Sequence, residues 1–260
     1  MLGAIIGDIV GSRWEFDPTN DYNFEWLSKE NGFTDDTICT VAVADALLHE
    51  RDFGESIHNW CNRYPHPMGG YGGRFAQWVH SDSPQPYGSY GNGSAMRVSP
   101  VGHWFDTIDE VLDAAAATAL PSHNHDEGIK GAQTVALAIF KARQFGSDAP
   151  KHIDEILQEC VEFSGYDINI KKENVINRFD ETCQGTVPVA LWIISESDSF
   201  EDAVRKAVSL GADADTLGAI VGSIAEAIWG IPMDVRNEVI NILPLPICKV
   251  IEEFESIVNR

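Results

Sequence analysis

Basic residues are scarce in this chain. Its 260 residues include 18 Lys and Arg against 40 Asp and Glu, which gives a formal net charge of −22. An acidic surface of this kind disfavours non-specific binding to nucleic acids or anionic lipids, because both carry negative charge. It is still compatible with a small anionic substrate, since a metal ion or a helix N-terminus can reverse the potential locally.

Cysteine motifs and long apolar runs are also missing. The five cysteines are odd in number and form no C-x-x-C motif, and Cys39 and Cys183 lie inside apolar stretches. We therefore expect reduced thiols and a cytoplasmic protein. The first residues, MLGAIIGDIVGSRWEF, lack a basic start and are interrupted by Asp8, which argues against a signal peptide. No apolar run has the length of a membrane span, so we expect no membrane partner.

Alternation of polar and apolar residues, the pattern of a half-buried strand, is absent as well. The helical period predicts an all-α fold, with one domain over residues 1–260. Between residues 51 and 100 the chain is rich in Gly, Pro and aromatic residues. There we predict a long functional loop region with one short helix near 72–80. Beyond the first residues, helices are predicted over 36–50, 107–120, 126–144, 151–163, 185–195, 200–210, 214–229, 233–243 and 247–258.

The first helix carries two stripes. Leu2, Ile5, Ile6 and Ile9 form an apolar face, and glycines follow one another at positions 3, 7 and 11. Glycine lowers helix stability, so three glycines on one face predict another backbone packed very close to this helix.

Two acidic clusters precede predicted helices about 180 residues apart. Thr34, Asp35 and Asp36 lie ahead of one helix, and Asp213, Asp215 and Thr216 open another. N-capping explains either cluster alone, because Asp and Thr are preferred caps and acidic groups complement the helix dipole. Capping does not require two adjacent acids or a D-x-D-T arrangement. If both helix starts converge, their oxygens suit Mg²⁺ or Mn²⁺, whereas zinc would need His or Cys ligands.

With these clusters the sequence resembles the ADP-ribosylglycohydrolase family. The resemblance extends over nearly the whole chain, in order, through GDIVGSRWEF (7–16), FTDDT (33–37), YGNGSAMRVSP (90–100), SHNHDEGIKGAQ (122–133), CQGTVPVAL (183–191) and GADADTLGAIVGSIAEAIWG (211–230). It implies an all-α fold with two Mg²⁺ or Mn²⁺ ions at the base of a cleft. The implied metal ligands are Thr34, Asp35, Asp36, Asp213, Asp215 and Thr216.

The resemblance also implies the catalytic and substrate-binding residues. Glu15 and Asp36 are the candidate catalytic residues, with Glu15 placed for acid–base work. Without the resemblance, an open alternative for Glu15 is a surface glutamate after a helix end. The implied substrate-binding residues are Gly91, Asn92, Gly93, Ser94, Ala95 and Met96, which match a phosphate-holding loop, and Asn124 and His125, which match a segment of the same cleft.

The residues themselves leave alternatives open at these positions. Gly-Asn-Gly is also an ordinary turn, although a glycine-rich loop before a short helix from Ser94 suits phosphate. Asn124 or Asp126 could cap the following helix, while His123 has no assigned role. Arg97 could neutralise a diphosphate or pair with an acid. Candidate aromatic partners for adenine or ribose are Tyr87, Tyr90, Phe33 and Trp14, although aromatic residues more often belong to the core.

These features predict a metal-dependent hydrolase that releases ADP-ribose from a modified protein side chain or from a small ADP-ribosyl compound. One alternative is a hydrolase of another ribosyl substrate on the same scaffold. Another is a non-catalytic protein that binds ADP-ribose or serves structurally, because some relatives of the family are eye-lens crystallins.

Overall fold

Helices account for the regular structure of the described residues, as the sequence predicts. The computed structural model describes residues 1–258, so the last two residues of the predicted 1–260 domain lie outside it. The α-helices are α1 (Leu2–Gly11), α2 (Asp35–Leu48), α3 (Phe53–Arg63), α4 (Gly73–Val79), α5 (Gly93–Met96), α6 (Ser99–Trp104), α7 (Ile108–Ala119), α8 (Asp126–Phe145), α9 (Ile153–Ser164), α10 (Cys183–Ser195), α11 (Phe200–Val208), α12 (Ala214–Trp229), α13 (Met233–Ile240) and α14 (Leu245–Val258). Short 3₁₀ turns cover Ser12–Trp14, Gly146–Lys151 and Lys172–Asn174. Within 1–258 the β-structure amounts to one isolated antiparallel bridge between Gly91 and Thr182.

The prediction for residues 51–100 is partly wrong. Helix α4 lies where the short helix was expected, but α3 occupies a stretch predicted as loop. Asp52 caps α3 by accepting a hydrogen bond from the Glu55 amide at 2.9 Å. Ile57, Trp60 and Cys61 then bury one face of α3 at helical spacing. The local period was present, but the Gly- and Pro-rich composition of the surrounding stretch obscured it.

The glycines of α1 allow the close backbone approach that the sequence predicts. Helix α1 packs along α12, where a Cβ added to Gly7 would lie 1.9 Å from the carbonyl oxygen of Gly218. A Cβ on Gly11 would lie 2.2 Å from the carbonyl oxygen of Ala214. The approach is reciprocal, since a Cβ on Gly222 would lie 2.2 Å from the Gly3 carbonyl oxygen. The C-terminal end of α1 is therefore held against the first turn of α12.

Asp8 connects α1 to the start of α2. Its buried carboxylate accepts hydrogen bonds from the Thr34 amide at 3.0 Å and from the Thr34 hydroxyl at 2.8 Å. It also accepts from the amide and the hydroxyl of Thr37. Helix α1 thus fixes both remote helix starts, α2 through Asp8 and α12 through the glycine stripe.

Around this arrangement the core is apolar. All five cysteines are free and buried, in agreement with the prediction of reduced thiols. Among residues 1–258, no helix combines the length and the apolar character needed to cross a membrane.

Candidate active site

The two acidic clusters line one cavity, together with Glu15. The cavity has a volume of about 310 Å³, and Asp36 from α2 and Asp215 from α12 face it. The hydroxyl of Thr216 lies 3.4 Å from Asp36 Oδ1, which shows how closely the two helix starts approach. The acidic residues that line the cavity are Glu15, Asp35, Asp36, Glu181, Asp213 and Asp215.

Capping accounts for Thr34 but not for the carboxylates. The Thr34 hydroxyl oxygen accepts a hydrogen bond from the Asp36 amide at 3.2 Å, which is an ordinary N-cap, and Thr34 does not line the cavity. Its oxygen keeps one lone pair, so ligation of a cation by Thr34 stays a prediction. Asp213 occupies the N-cap position of α12 without making a capping bond. Its Oδ2 accepts instead from the side-chain amide of Asn92 at 2.7 Å.

Two buried carboxylate oxygens have no hydrogen-bond partner within the described part of the chain, residues 1–258. These are Asp36 Oδ2 and Asp215 Oδ1, in side chains that are 2 % and 3 % exposed. An unpaired buried anion is costly, and a buried carboxylate normally has hydrogen bonds or a cation beside it. Both orphaned oxygens belong to residues that line the same cavity, so the donor set fits hard divalent cations.

Burial, followed by nearby negative charge, raises the pKa values of the acidic groups. Burial, followed by the charges of Asp215 and Asp8, raises the pKa of Glu15 to about 8. Burial raises the pKa of Asp213 to about 7, and it raises the pKa values of Asp36 and Asp215 well above the usual range. Protons or cations must therefore share this space with the carboxylates.

Three of these groups could together hold one metal ion. Glu15, Asp213 and Asp215 each offer a carboxylate oxygen, and these oxygens lie within 4.8 Å of one another. That spacing is suited to shared ligation of a cation or to a shared proton. Glu15 is the half-buried member and also faces the cavity, so its carboxyl group is accessible to a bound molecule.

The glycine-rich loop forms another wall of the cavity. Gly91, Asn92, Gly93 and Met96 line it, whereas Ser94 and Ala95 are buried and do not. The Ser94 hydroxyl donates to the Gly128 carbonyl oxygen at 2.7 Å, which anchors the loop on α8. The backbone N–H of Asn92 donates to the Glu181 carbonyl oxygen at 2.7 Å, beside the Gly91–Thr182 bridge. Contact of Ser94 and Ala95 with a substrate stays a prediction that this placement does not favour.

The segment 122–125 presents a different residue to the cavity than the one assigned from sequence. Asn124 and His125 are exposed and do not line the cavity. His125 Nδ1 caps α8 by accepting from the Glu127 amide at 3.1 Å, and Asn124 Oδ1 accepts from the Gly88 amide at 2.7 Å. His123 is buried and lines the cavity. A substrate role for Asn124 and His125 stays a prediction that this placement does not favour.

Aromatic residues divide between the cavity and the core. Tyr87 lines the cavity, and Tyr90 is exposed with its ring 5.2 Å from that of His125. Phe33 packs against Tyr64, and Trp14 packs against Phe24. Neither Phe33 nor Trp14 faces the cavity, so these two fit the core interpretation that the sequence left open.

Sequence reasoning missed the roles of Asp8, His123 and Glu181. Asp8 interrupts an apolar helix face, which is the signal that could have identified it as a buried acceptor. His123 stands in a quoted motif but two residues from the histidine that was chosen. Glu181 carries no pattern of its own and reaches the cavity only through the pairing of its strand-like segment with Gly91 and Asn92.

Comparisons with known proteins agree with this architecture. The model of the ADP-ribosylglycohydrolase family matches residues 1–258. ADP-ribosylhydrolase ARH3 of Mus musculus is 25% identical over 305 residues, with 88% of this chain and 82% of the relative covered. ADP-ribosylarginine hydrolase Tri1 of Pseudomonas putida is 23% identical over 271 residues, with 89% and 70% covered. A solved chain from an ADP-ribosylglycohydrolase-related protein complex has the same fold, with a TM-score of 0.70 and 21% identity. The superposition covers 99% of this chain and 95% of the solved chain. The chain therefore belongs to the ADP-ribosylglycohydrolase family.

Proposed function

We propose that the protein is a metal-dependent hydrolase that cleaves the glycosidic bond between ADP-ribose and an acceptor. The acceptor is a modified protein side chain or the leaving group of a small ADP-ribosyl compound. Relatives named ADP-ribosylhydrolase and ADP-ribosylarginine hydrolase support this reaction class. The observation that carries the proposal is the pair of orphaned oxygens of Asp36 and Asp215, two residues that line one cavity with Glu15.

The cation ligands in this proposal come from both helix starts. Asp35, Asp36, Asp213, Asp215 and Thr216 line the cavity and offer only oxygen atoms, which suits two Mg²⁺ or Mn²⁺ ions. When bound, such ions would supply positive charge beside the reacting ribose. Asn92 holds the Asp213 carboxylate in place through a 2.7 Å hydrogen bond, so one oxygen of that ligand is already oriented.

Glu15 is the residue that we assign to acid–base chemistry. Glycosidic cleavage needs a proton for the departing group and a base for the attacking water. Glu15 lines the cavity, is half-buried and has a carboxylate oxygen within 4.8 Å of one of Asp215. Gly69 stands against it, because a Cβ at position 69 would lie 2.5 Å from Glu15 Oε2. A side chain at position 69 would push the carboxyl group aside.

The test measures free ADP-ribose released from arginine-linked, serine-linked and small-molecule substrates, with and without a chelator. We expect release that requires Mg²⁺ or Mn²⁺ and that is lost in Glu15→Gln and Asp215→Asn. Glu238→Gln is the matched control, since Glu238 is exposed on α13 and does not line the cavity. Full release by the chelated enzyme, or by either site variant, would contradict the proposal.

A binding measurement separates an enzyme from a non-catalytic relative. Melting should shift upward with Mg²⁺ or Mn²⁺ and again with ADP-ribose, because each ligand binds the folded state. Both shifts without turnover of any of the three substrates would favour a binding protein. No shift with either ligand would favour a structural role.

A further inference from the structure

Among residues 1–258, Arg97 is a buried cation without a carboxylate partner. Its side chain is fully buried, and Nη2 donates to the Thr118 carbonyl oxygen at 2.8 Å and to Ser122 Oγ at 3.0 Å. Its Nε and Nη1 atoms have no partner, and the guanidinium carbon lies 5.9 Å from the centre of the Phe75 ring. Of the two sequence alternatives, pairing with an acid is therefore wrong. Burying a charge without an opposite charge beside it costs free energy. We therefore expect Arg97 to have a function that offsets this cost.

Ser122 connects Arg97 to His123 through hydrogen bonds. Ser122 is fully buried, and its Oγ lies 2.8 Å from His123 Nδ1. A hydroxyl group has one proton to donate and two lone pairs that accept. Arg97 already occupies one lone pair, and within residues 1–258 the remaining polar neighbour of Oγ is His123 Nδ1.

Hydrogen-bond satisfaction then fixes where the imidazole carries its proton. If Nδ1 carried a hydrogen, both neighbours of Ser122 Oγ would be donors, and its own buried proton would have no acceptor. If Nδ1 accepts, the Ser122 hydroxyl and Nδ1 are both satisfied, and the hydrogen of the neutral ring lies on Nε2. Burial, followed by the charge of Arg97, lowers the pKa of His123 well below its usual value, which is consistent with a neutral ring.

The Nε2 atom of His123 faces the glycine-rich loop. A Cβ at Gly93 would lie 3.0 Å from Nε2, and one at Gly91 would lie 3.5 Å from it, so glycine keeps the space beside this atom open. Nε2 has no partner among the described residues, and His123 lines the cavity. An N–H donor beside a buried cation suits a ligand oxygen that only accepts, such as a phosphate oxygen.

We propose that Arg97 and Ser122 are positioning residues that hold His123 in its Nε2–H tautomer, so that the ring donates a hydrogen bond to a phosphate oxygen of the substrate. The proposal rests on the proposed function only for the nature of the ligand. The hydrogen-bonded chain from Arg97 through Ser122 to His123, which we call the relay, is present in the free protein. It can be observed without turnover.

Nitrogen NMR of protein labelled with ¹⁵N-histidine tests the relay directly. We expect His123 to give the pattern of a neutral ring with protonated Nε2 and unprotonated Nδ1, unchanged from pH 8 to pH 5.5. Wild-type protein suffices for this measurement, so it does not depend on the folding of any variant. A protonated Nδ1, or a mixture of tautomers, would overturn the proposal.

Variants and ligands test the consequence. Ser122→Ala should give mixed tautomers and bind ADP-ribose about tenfold more weakly, the loss of one oriented hydrogen bond to a charged group. Arg97→Lys, which keeps the charge and can donate to Ser122, should retain the tautomer. Pyrophosphate and ADP-ribose should both shift the Nε2 resonance, whereas adenosine should not. Saturation with ADP-ribose without a shift at Nε2 would refute the phosphate contact and leave the proposed function standing, since metal-dependent release of ADP-ribose is measured separately.

Discussion

Substitution of Gly7 by alanine is the most direct test of how the site is assembled. The added Cβ would lie 1.9 Å from the Gly218 carbonyl oxygen and 2.3 Å from the carbonyl carbon. Both are backbone atoms, which cannot rotate away as a side chain would. To reach even the shortest tolerable separation, α1 and α12 must move apart by about 1 Å.

The expected energy is a difference between two effects. Overpacking of a well-filled interface costs about 1–3 kcal/mol, and a clash between backbones belongs at the upper end of that range. Alanine recovers about 1 kcal/mol through its better helix propensity. We therefore expect Gly7→Ala to lower the free energy of unfolding by about 2 kcal/mol.

The same displacement should affect the site more than the fold. Moving α12 shifts Asp213 and Asp215 relative to Asp36, because the first turn of α12 packs on the C-terminal end of α1. A misplacement of about 1 Å is able to cost roughly 100-fold in rate. The assays are urea denaturation in chelator, calorimetric titration with Mn²⁺, and release of ADP-ribose.

Gly73→Ala is the matched control. Gly73 begins α4, has no heavy atom within 4 Å of an added Cβ and does not line the cavity. We expect its stability to stay within about 1 kcal/mol of wild type, with unchanged Mn²⁺ affinity. If Gly7→Ala matched this control in stability, Mn²⁺ affinity and rate, the glycine stripe could not be what positions the two acidic clusters.

Three further predictions concern single buried ionisable groups. Asp36→Asn removes an unpaired anion, so urea denaturation of the chelated protein should show a free energy of unfolding higher by about 1 kcal/mol or more. The variant should also lose most of the rise in melting temperature that Mn²⁺ causes. An unchanged rise would contradict this prediction. Asp8→Ala breaks the four hydrogen bonds to Thr34 and Thr37 and should lower the free energy of unfolding by about 3 kcal/mol or more, whereas a loss below 1 kcal/mol would show that Asp8 does not hold α2. Burial lowers the pKa of His103 from 6.5 to about 3, so the unfolded chain takes up the proton first and stability is lost as pH falls below 6.5. Between pH 7 and pH 5 this loss is about 2 kcal/mol, and His103→Gln should remove it from denaturation curves; an equal pH dependence in the variant would refute the assignment.

The parts of the fold that the sequence predicts are those that repeat locally. Amphipathic periods over 126–144 and 214–229 correspond to α8 and α12, and the glycine stripe of α1 predicts a close neighbour without naming it. Helix α3 was missed because its period is short and its surroundings are rich in Gly and Pro. The convergence of the acidic clusters was a hypothesis from sequence, since no local pattern determines which helix starts meet.

The arrangement of His123 shows why local patterns are insufficient for the site. Sequence reasoning chose His125 because the family resemblance places Asn124 and His125 in a cleft segment, and it left His123 of the same motif unassigned. In the fold, the two side chains have opposite surroundings. His125 caps α8 on the surface, while His123 turns inward onto Ser122 and Arg97.

Asp8 is a second residue whose role the local sequence does not reveal, and its role concerns stability. A lone acid in an apolar helix looks like an interruption, yet its carboxylate supplies the acceptors that fix the first turn of α2. The polar groups that position the site are buried ones whose partners lie far away in sequence, 26 and 29 residues for Asp8 and 121 residues for Asn92. Hydrogen-bond satisfaction in the folded chain, rather than spacing in the sequence, identifies such residues, because a buried polar group must find its partner wherever the backbone brings one.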